Sequence, residues 1–108
     1  MQVRVALYGA TRVVIGQPFV DLAFDTPDIT LGQVLAQISA AYPRAHQYLF
    51  DGSGMLPSYM RVLINNVRPN PDATLATLLH DNDQVVLLVA VAGGSSERNA
   101  IRLLKAPL

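Results

Sequence analysis

The sequence predicts an α+β fold, a mixed sheet of four to five strands packed on one main helix. Three observations carry that prediction. Residues 2–8 alternate apolar and polar, residues 31–42 hold one capped apolar stripe of helical period, and residues 84–91 form a strand that is apolar on both faces.

The opening strand places Val3, Val5 and Leu7 on one face and Gln2, Arg4, Ala6 and Tyr8 on the other. Gly9 and Gly16 bracket a turn region. A second alternating run follows, with Val20, Leu22 and Phe24 inward and Asp21, Ala23 and Asp25 outward, so the two strands form an irregular hairpin. Thr26-Pro27-Asp28 ends it. Thr30 and Gln33 then have the spacing of a capping box, in which hydroxyl and amide side chains satisfy each other's orphan backbone N–H groups. Leu31, Val34, Leu35, Ile38 and Ala41 or Tyr42 make one apolar stripe, and Pro43 stops the helix. Gly32, Gln33, Ala36, Gln37 and Ala40 should face solvent.

Residues 44–58 carry turn signals, Asp51-Gly52-Ser53-Gly54 and Pro57, with Leu49, Phe50, Met55 and Leu56 as apolar anchors of short irregular elements. Residues 59–64 resume strand character. Asn65-Asn66 suits a tight turn because asparagine tolerates positive φ, and Val67-Arg68-Pro69 would be the short returning strand. Leu75, Leu78 and Leu79 suggest a helical turn that plugs the base of the core. After the turn His80-Asp81-Asn82-Asp83 comes the last strand, with Val85, Leu87, Val89 and Val91 on one face and Val86, Leu88 and Ala90 on the other. Such a strand belongs in the middle of a sheet, its outer face either covered or used for docking.

This element string is that of the β-grasp, or ubiquitin-like, fold, with the first and last strands parallel in the centre and a right-handed crossover. At 108 residues, 51% hydrophobic and 15% charged, the chain has room for one core and no second domain. Its formal net charge of zero gives no footprint for a polyphosphate backbone, which argues against nucleic acid as the main partner. Zero cysteines remove disulfides, thiolate metal sites and cysteine nucleophiles together. The N-terminus lacks a secretory n- and h-region, and the longest apolar run, Val85 to Ala92, is 8 residues against the ~20 of a membrane span. A cytoplasmic protein without membrane contact is expected.

Charge placement divides the chain. Residues 1–94 hold seven aspartates and five arginines, a balance of −2, whereas residues 95–108 hold Glu97 against Arg98, Arg102 and Lys105. Lys105 is the only lysine. No catalytic set stands out. His46 and His80 lack an acidic or histidine partner at a ligand spacing such as i+4, so no metal site is expected and both read as surface residues. Asp51-Gly52-Ser53-Gly54 has no following lysine and is a turn rather than a phosphate loop. Asp81 and Asp83 flank a turn, where aspartate bonds local backbone.

The strand ending Leu7-Tyr8-Gly9, the helix after Thr30-Leu31, the segment Val62-Leu63-Ile64-Asn65-Asn66-Val67, the run Leu75 to Val85 and the ending Ala92-Gly93-Gly94 together resemble the ubiquitin-like sulfur carriers, such as the small subunit of molybdopterin synthase and the thiamine-pathway carrier. The resemblance spans residues 1–94. It implies a non-enzymatic carrier or protein modifier that binds no cofactor itself. An adenylating enzyme would use ATP to activate the carboxylate of Gly94, behind Gly93, and a downstream sulfur-acceptor enzyme or target protein would follow. Glycines let such a tail thread a narrow channel, and Ala92 to Gly94 would reach about 10 Å past the sheet. Here Gly94 is followed by residues 95–108, so its carboxylate is held in an amide. The carrier reading therefore requires a diglycine-specific peptidase that cleaves between Gly94 and Ser95. Residues 95–108 form an extension that is either cleaved or, with Ser95 or Ser96 as cap and Ala100, Ile101 and Leu104 on one side, helical. Ubiquitin-like carriers dock through the sheet face beside the tail, which here would be Leu63, Val86, Leu88 and Ala90. The alternative is a non-covalent β-grasp adaptor that keeps its tail as a docking segment.

Overall fold

The computed structural model describes residues 1–89. The expected domain boundary at Gly94 and the expected strand end at Val91 lie outside them. Four strands form the main sheet: β1 (Gln2–Gly9), β2 (Phe19–Ala23), β4 (Met60–Ile64) and β6 (Asp83–Val89), in the order β2-β1-β6-β4. The first and last run parallel at the centre, from Val3 opposite Asp83 to Gly9 opposite Val89. The antiparallel partners β2 and β4 take the edges. The central place of β6 is the one anticipated from the two-faced apolar pattern of the last strand, and the parallel pairing is the one the β-grasp element string implies.

One helix, α2 (Leu31–Ala41), covers the inner face. Thr30 and Gln33 make the capping box in both directions, and Leu31, Val34, Leu35 and Ile38 are fully buried. Each such side chain contributes roughly 2 kcal/mol of transfer free energy. They share one cluster with Val3, Val5, Leu7, Val20, Val62, Val85, Leu87 and Val89. Gly32 does not face open solvent as expected. A Cβ there would stand 3.2 Å from the Leu75 carbonyl oxygen, so the segment after β4 packs against the helix at this point.

Four elements depart from the sequence reading. Between Gly9 and Gly16 the chain forms a helix, α1 (Ala10–Ile15), instead of a turn. Thr11, completely buried, donates its hydroxyl to the Tyr8 carbonyl, and Gly16 closes the helix in the left-handed conformation. Leu78 and Leu79 do not extend a helical turn. The 3-10 turn stops at Ala76, and Leu78–Leu79 is a strand, β5, paired antiparallel with β3 (Ile29–Thr30) in a separate two-stranded sheet. Leu79 is buried and Leu78 is 55% exposed, as alternation in a strand demands. The returning strand after Asn66 shrinks to one bridge between Ile64 and Val67. Met55, expected as an anchor, is exposed, and the excursion is held by Leu49 in the short helix α3 (His46–Leu49).

Asn65 and Asn66 both adopt positive φ, at 52° and 67°. They differ in what their side chains do. The Asn65 amide donates to Asp83 Oδ1 at 2.8 Å and accepts from the Gln84 N–H, tying the turn to the start of β6. Asp83, itself buried, also accepts the His80 N–H. Replacing Asn66 with glycine should therefore stabilise the protein by about 0.5 kcal/mol, since only left-handed strain is relieved. Asn65→Gly should cost about 1–2 kcal/mol despite the same relief, because a carboxylate bond is lost. Urea midpoints that move in the same direction for both variants would contradict this division of roles.

Candidate functional site

The expected activation residues Gly93 and Gly94, the scissile partner Ser95 and the docking residue Ala90 lie outside the described residues. The platform from which the tail departs does not. It is the end of the central strand pair, where Gly9 stands opposite Val89, five positions before Gly94. Gly9 has φ 73° and ψ −139°, and a Cβ placed on it would lie 1.9 Å from the Val89 carbonyl oxygen. The backbones can close up here only because the residue is glycine. Helix α1 begins immediately after Gly9 and packs beside β6, so it borders the same pole.

The register assembles the outer face of the sheet. Val86 stands between Ala6 of β1 and Leu63 of β4, and Ala6 stands beside Phe19 of β2. The result is an apolar row across all four strands, Phe19-Ala6-Val86-Leu63. Phe19 is 42% exposed, and Ala6, Val86 and Leu63 are half-buried. The next row, nearer the tail, is Tyr8-Leu88-Arg61. Leu88 is buried although it faces away from the α2 core. Leu63 and Val86 are thus brought into direct opposition, with Leu88 one row on. Sequence reasoning does not pick out Phe19 and Ala6. Phe19 carries a usable signal, an aromatic two positions before the outward-facing Asp21, but only the register shows that it continues the row.

On the side away from the tail the row is bounded by Arg4 and Asp21. Arg4 Nε and Nη2 donate to the two Asp21 carboxylate oxygens at 2.7 and 3.0 Å, and the guanidinium lies 4.2 Å over the Phe19 ring. The hydrogen bond from Arg4, aided by its charge, lowers the Asp21 pKa. A depressed folded pKa gives stability that is fully present above the unfolded value of 3.8 and is lost as pH falls through the folded one. Both groups are exposed, so the effect is small. The stability difference between wild type and Arg4→Gln should stay constant from pH 7 to 5 and shrink below about pH 4. A difference that stays flat down to pH 2 would mean that Asp21 is unpaired in solution.

The His46 ring shares a 2.6 Å hydrogen bond with the Ser39 hydroxyl and packs against Phe50, ring centroids 5.5 Å apart and planes tilted by 34°. His80 Nδ1 lies 3.7 Å from Asp83, three positions on in the same turn, a single pair and not a ligand set. Both histidines are at the surface, as expected. Among the described residues no group of three or more histidine or carboxylate side chains is placed to hold a metal ion. Asp83 accepts the His80 N–H, the local backbone role read from the turn, whereas Asp81 accepts the N–H of Gln2, 79 positions away in β1. Among the described residues no helix is long and apolar enough to cross a membrane.

The sequence matches the ThiS family over residues 5–94. It is 36% identical over 67 residues to the sulfur carrier protein CysO of Mycobacterium tuberculosis, covering 60% of this chain and 72% of that one. The crystal structure of CysO superposes with a TM-score of 0.67 at 30% identity, over 82% of this chain and 99% of CysO. SAMP1 from Haloferax volcanii superposes with a TM-score of 0.76 at 24% identity, over 87% of this chain and all of that one, and so shares the fold. With a ubiquitin-like sheet, a single capped helix across it and a match that runs through the glycine pair, the chain belongs to the ThiS family of ubiquitin-like sulfur carriers.

Proposed function

We propose that this protein is a cytoplasmic sulfur carrier or protein modifier, not itself an enzyme, whose working group is the carboxylate of Gly94. The observation that carries the reading is the extent of the family match, which ends on the second glycine of the pair. Removal of residues 95–108 at the Gly94–Ser95 bond by a diglycine-specific peptidase frees the carboxylate. An adenylating enzyme then joins it to AMP from ATP with release of pyrophosphate, since a carboxylate is a poor electrophile and needs a leaving group. Attack on the acyl carbon by sulfide-level sulfur (hydrosulfide) forms a C–S bond, expels AMP and leaves a thiocarboxylate; attack by a lysine amine forms a C–N bond, expels AMP and sheds a proton, leaving an isopeptide bond instead. The row Phe19-Ala6-Val86-Leu63, beside the exit of β6, offers the apolar surface on which the globule docks while the tail enters the partner's site. A CysO protein of Amycolatopsis orientalis forms a complex with BexX, which supports a carrier that works through a partner protein.

Intact mass of the protein from its native host tests the reading. A chain ending at Gly94, with one carboxylate oxygen replaced by sulfur, is expected. A full-length chain under every growth condition would overturn it. The half-exposed apolar row favours a second reading, a non-covalent adaptor that keeps its tail as a docking segment. Gly94→Ala separates the two, because an adaptor tolerates that change and loses function when residues 95–108 are removed.

A further inference from the structure

We infer that the globule has no side chain that captures its own activated carboxylate as a stable product, because residues 1–94 use arginine for every permanently charged cationic side chain and contain neither a lysine amine nor a cysteine thiol. This rests on the reading of Gly94 as the activated group. An acyl adenylate or thioester is an electrophile. An unprotonated amine that attacks it forms a C–N bond, breaks the bond to AMP or thiol, and sheds one proton. Near neutral pH about 1 in 1000 lysine side chains is unprotonated, and a tethered carbonyl meets such an amine at high effective concentration. Arginine stays protonated and has no lone pair to offer, and serine, threonine and tyrosine hydroxyls are weak nucleophiles unless a base activates them; an imidazole of His46 or His80 that attacked would form an acyl-imidazole that water hydrolyses, returning the free acid.

The five arginines, Arg4, Arg12, Arg44, Arg61 and Arg68, are thus cations that cannot consume the acyl group. Lys105, the only lysine, lies in the segment removed before activation. One amine remains, at Met1, and it donates to the Phe24 carbonyl at 2.8 Å. It also sits at the wrong end of the molecule. Because β1 and β6 run parallel, Met1 lies beside the start of β6, and six strand positions separate Val3 from Gly9 at the tail pole. That is about 20 Å of strand. The five residues from Val89 to Gly94 span at most about 17 Å and would have to reverse direction. Arg12 is the informative position. It is exposed in α1, three residues beyond Gly9, at the pole where the tail leaves.

The test needs no activating enzyme, so it can fail without touching the assignment of Gly94, and the reverse holds too. Residues 1–94, which retain the whole sheet and every buried side chain named above, are prepared as a Gly94 thioester of 2-mercaptoethanesulfonate by intein cleavage. A cooperative urea transition shows that the piece is folded. At pH 8 the wild-type thioester should decay to free acid alone. Arg12→Lys should yield amide-linked product at least about five-fold above the detection limit that bounds the wild type, seen by mass as loss of the thiol and by peptide mapping as a cross-link from the Gly94 carbonyl to the new amine at position 12. Amide formation by the wild type through Met1 would overturn the inference. So would an Arg12→Lys thioester that decays only to acid, since arginine would then confer no protection.

Discussion

Gly9→Ala is expected to destabilise the protein by about 3 kcal/mol or more. Two effects add. The residue holds φ 73° with ψ −139°, a combination open in practice only to glycine, and a Cβ would sit 1.9 Å from the carbonyl oxygen and 3.0 Å from the carbonyl carbon of Val89. Neither atom belongs to a flexible side chain that can swing away. Relief requires the last pair of the central parallel ladder to part, which moves the strand end that leads to Gly94. Gly54→Ala is the control. Its φ is 83° but nothing lies within 4 Å of the added carbon, so it should cost only the backbone strain, about 1 kcal/mol. With total stabilities of about 5–15 kcal/mol for domains of this class, the Gly9 variant should show a much lower urea midpoint. Equal midpoints for the two variants would show that the close approach to Val89 does not exist in solution.

Leu87→Ala should cost about 3–4 kcal/mol, while Leu63→Ala costs under about 1 kcal/mol. Leu87 is fully buried in the central strand, between Leu7 of β1 and Val62 of β4, and belongs to the cluster beneath α2. Truncation there removes three carbons and leaves a cavity that rigid neighbours on both sides cannot fill. Leu63, one position along from Val62, points to the opposite face and is half-exposed, so water replaces what is removed. Similar losses at the two positions would mean that the outer row is core, which would undercut the docking surface proposed for it.

The parts of the fold legible in the sequence are those whose cause is local. The capping box at Thr30 and Gln33 needs two side chains three positions apart, and the helical stripe from Leu31 to Ile38 repeats often enough to reveal its period. Helix α1 is not legible because six residues between two glycines are too few for a period of 3.6 to differ from a turn. Two leucines at 78 and 79 show no period at all, so their membership of a strand rests on the pairing with Ile29 and Thr30. Val67 does not extend its strand because Pro69, two positions on, has no N–H to give to a ladder.

By itself the sequence determined the α+β class, the central place of the last strand, the glycine pair at 93 and 94, and the absence of lysine and cysteine before residue 95. Each of these is a matter of composition or of side chains within a few positions of one another. Only the tertiary structure decided that Phe19, Ala6, Val86 and Leu63 lie in one row, that Gly9 closes on Val89, and that Met1 is far from the tail's exit. Those relations involve residues 13 to 88 positions apart, and they are set by strand register, which a shift of a single residue would have turned to the other face of the sheet.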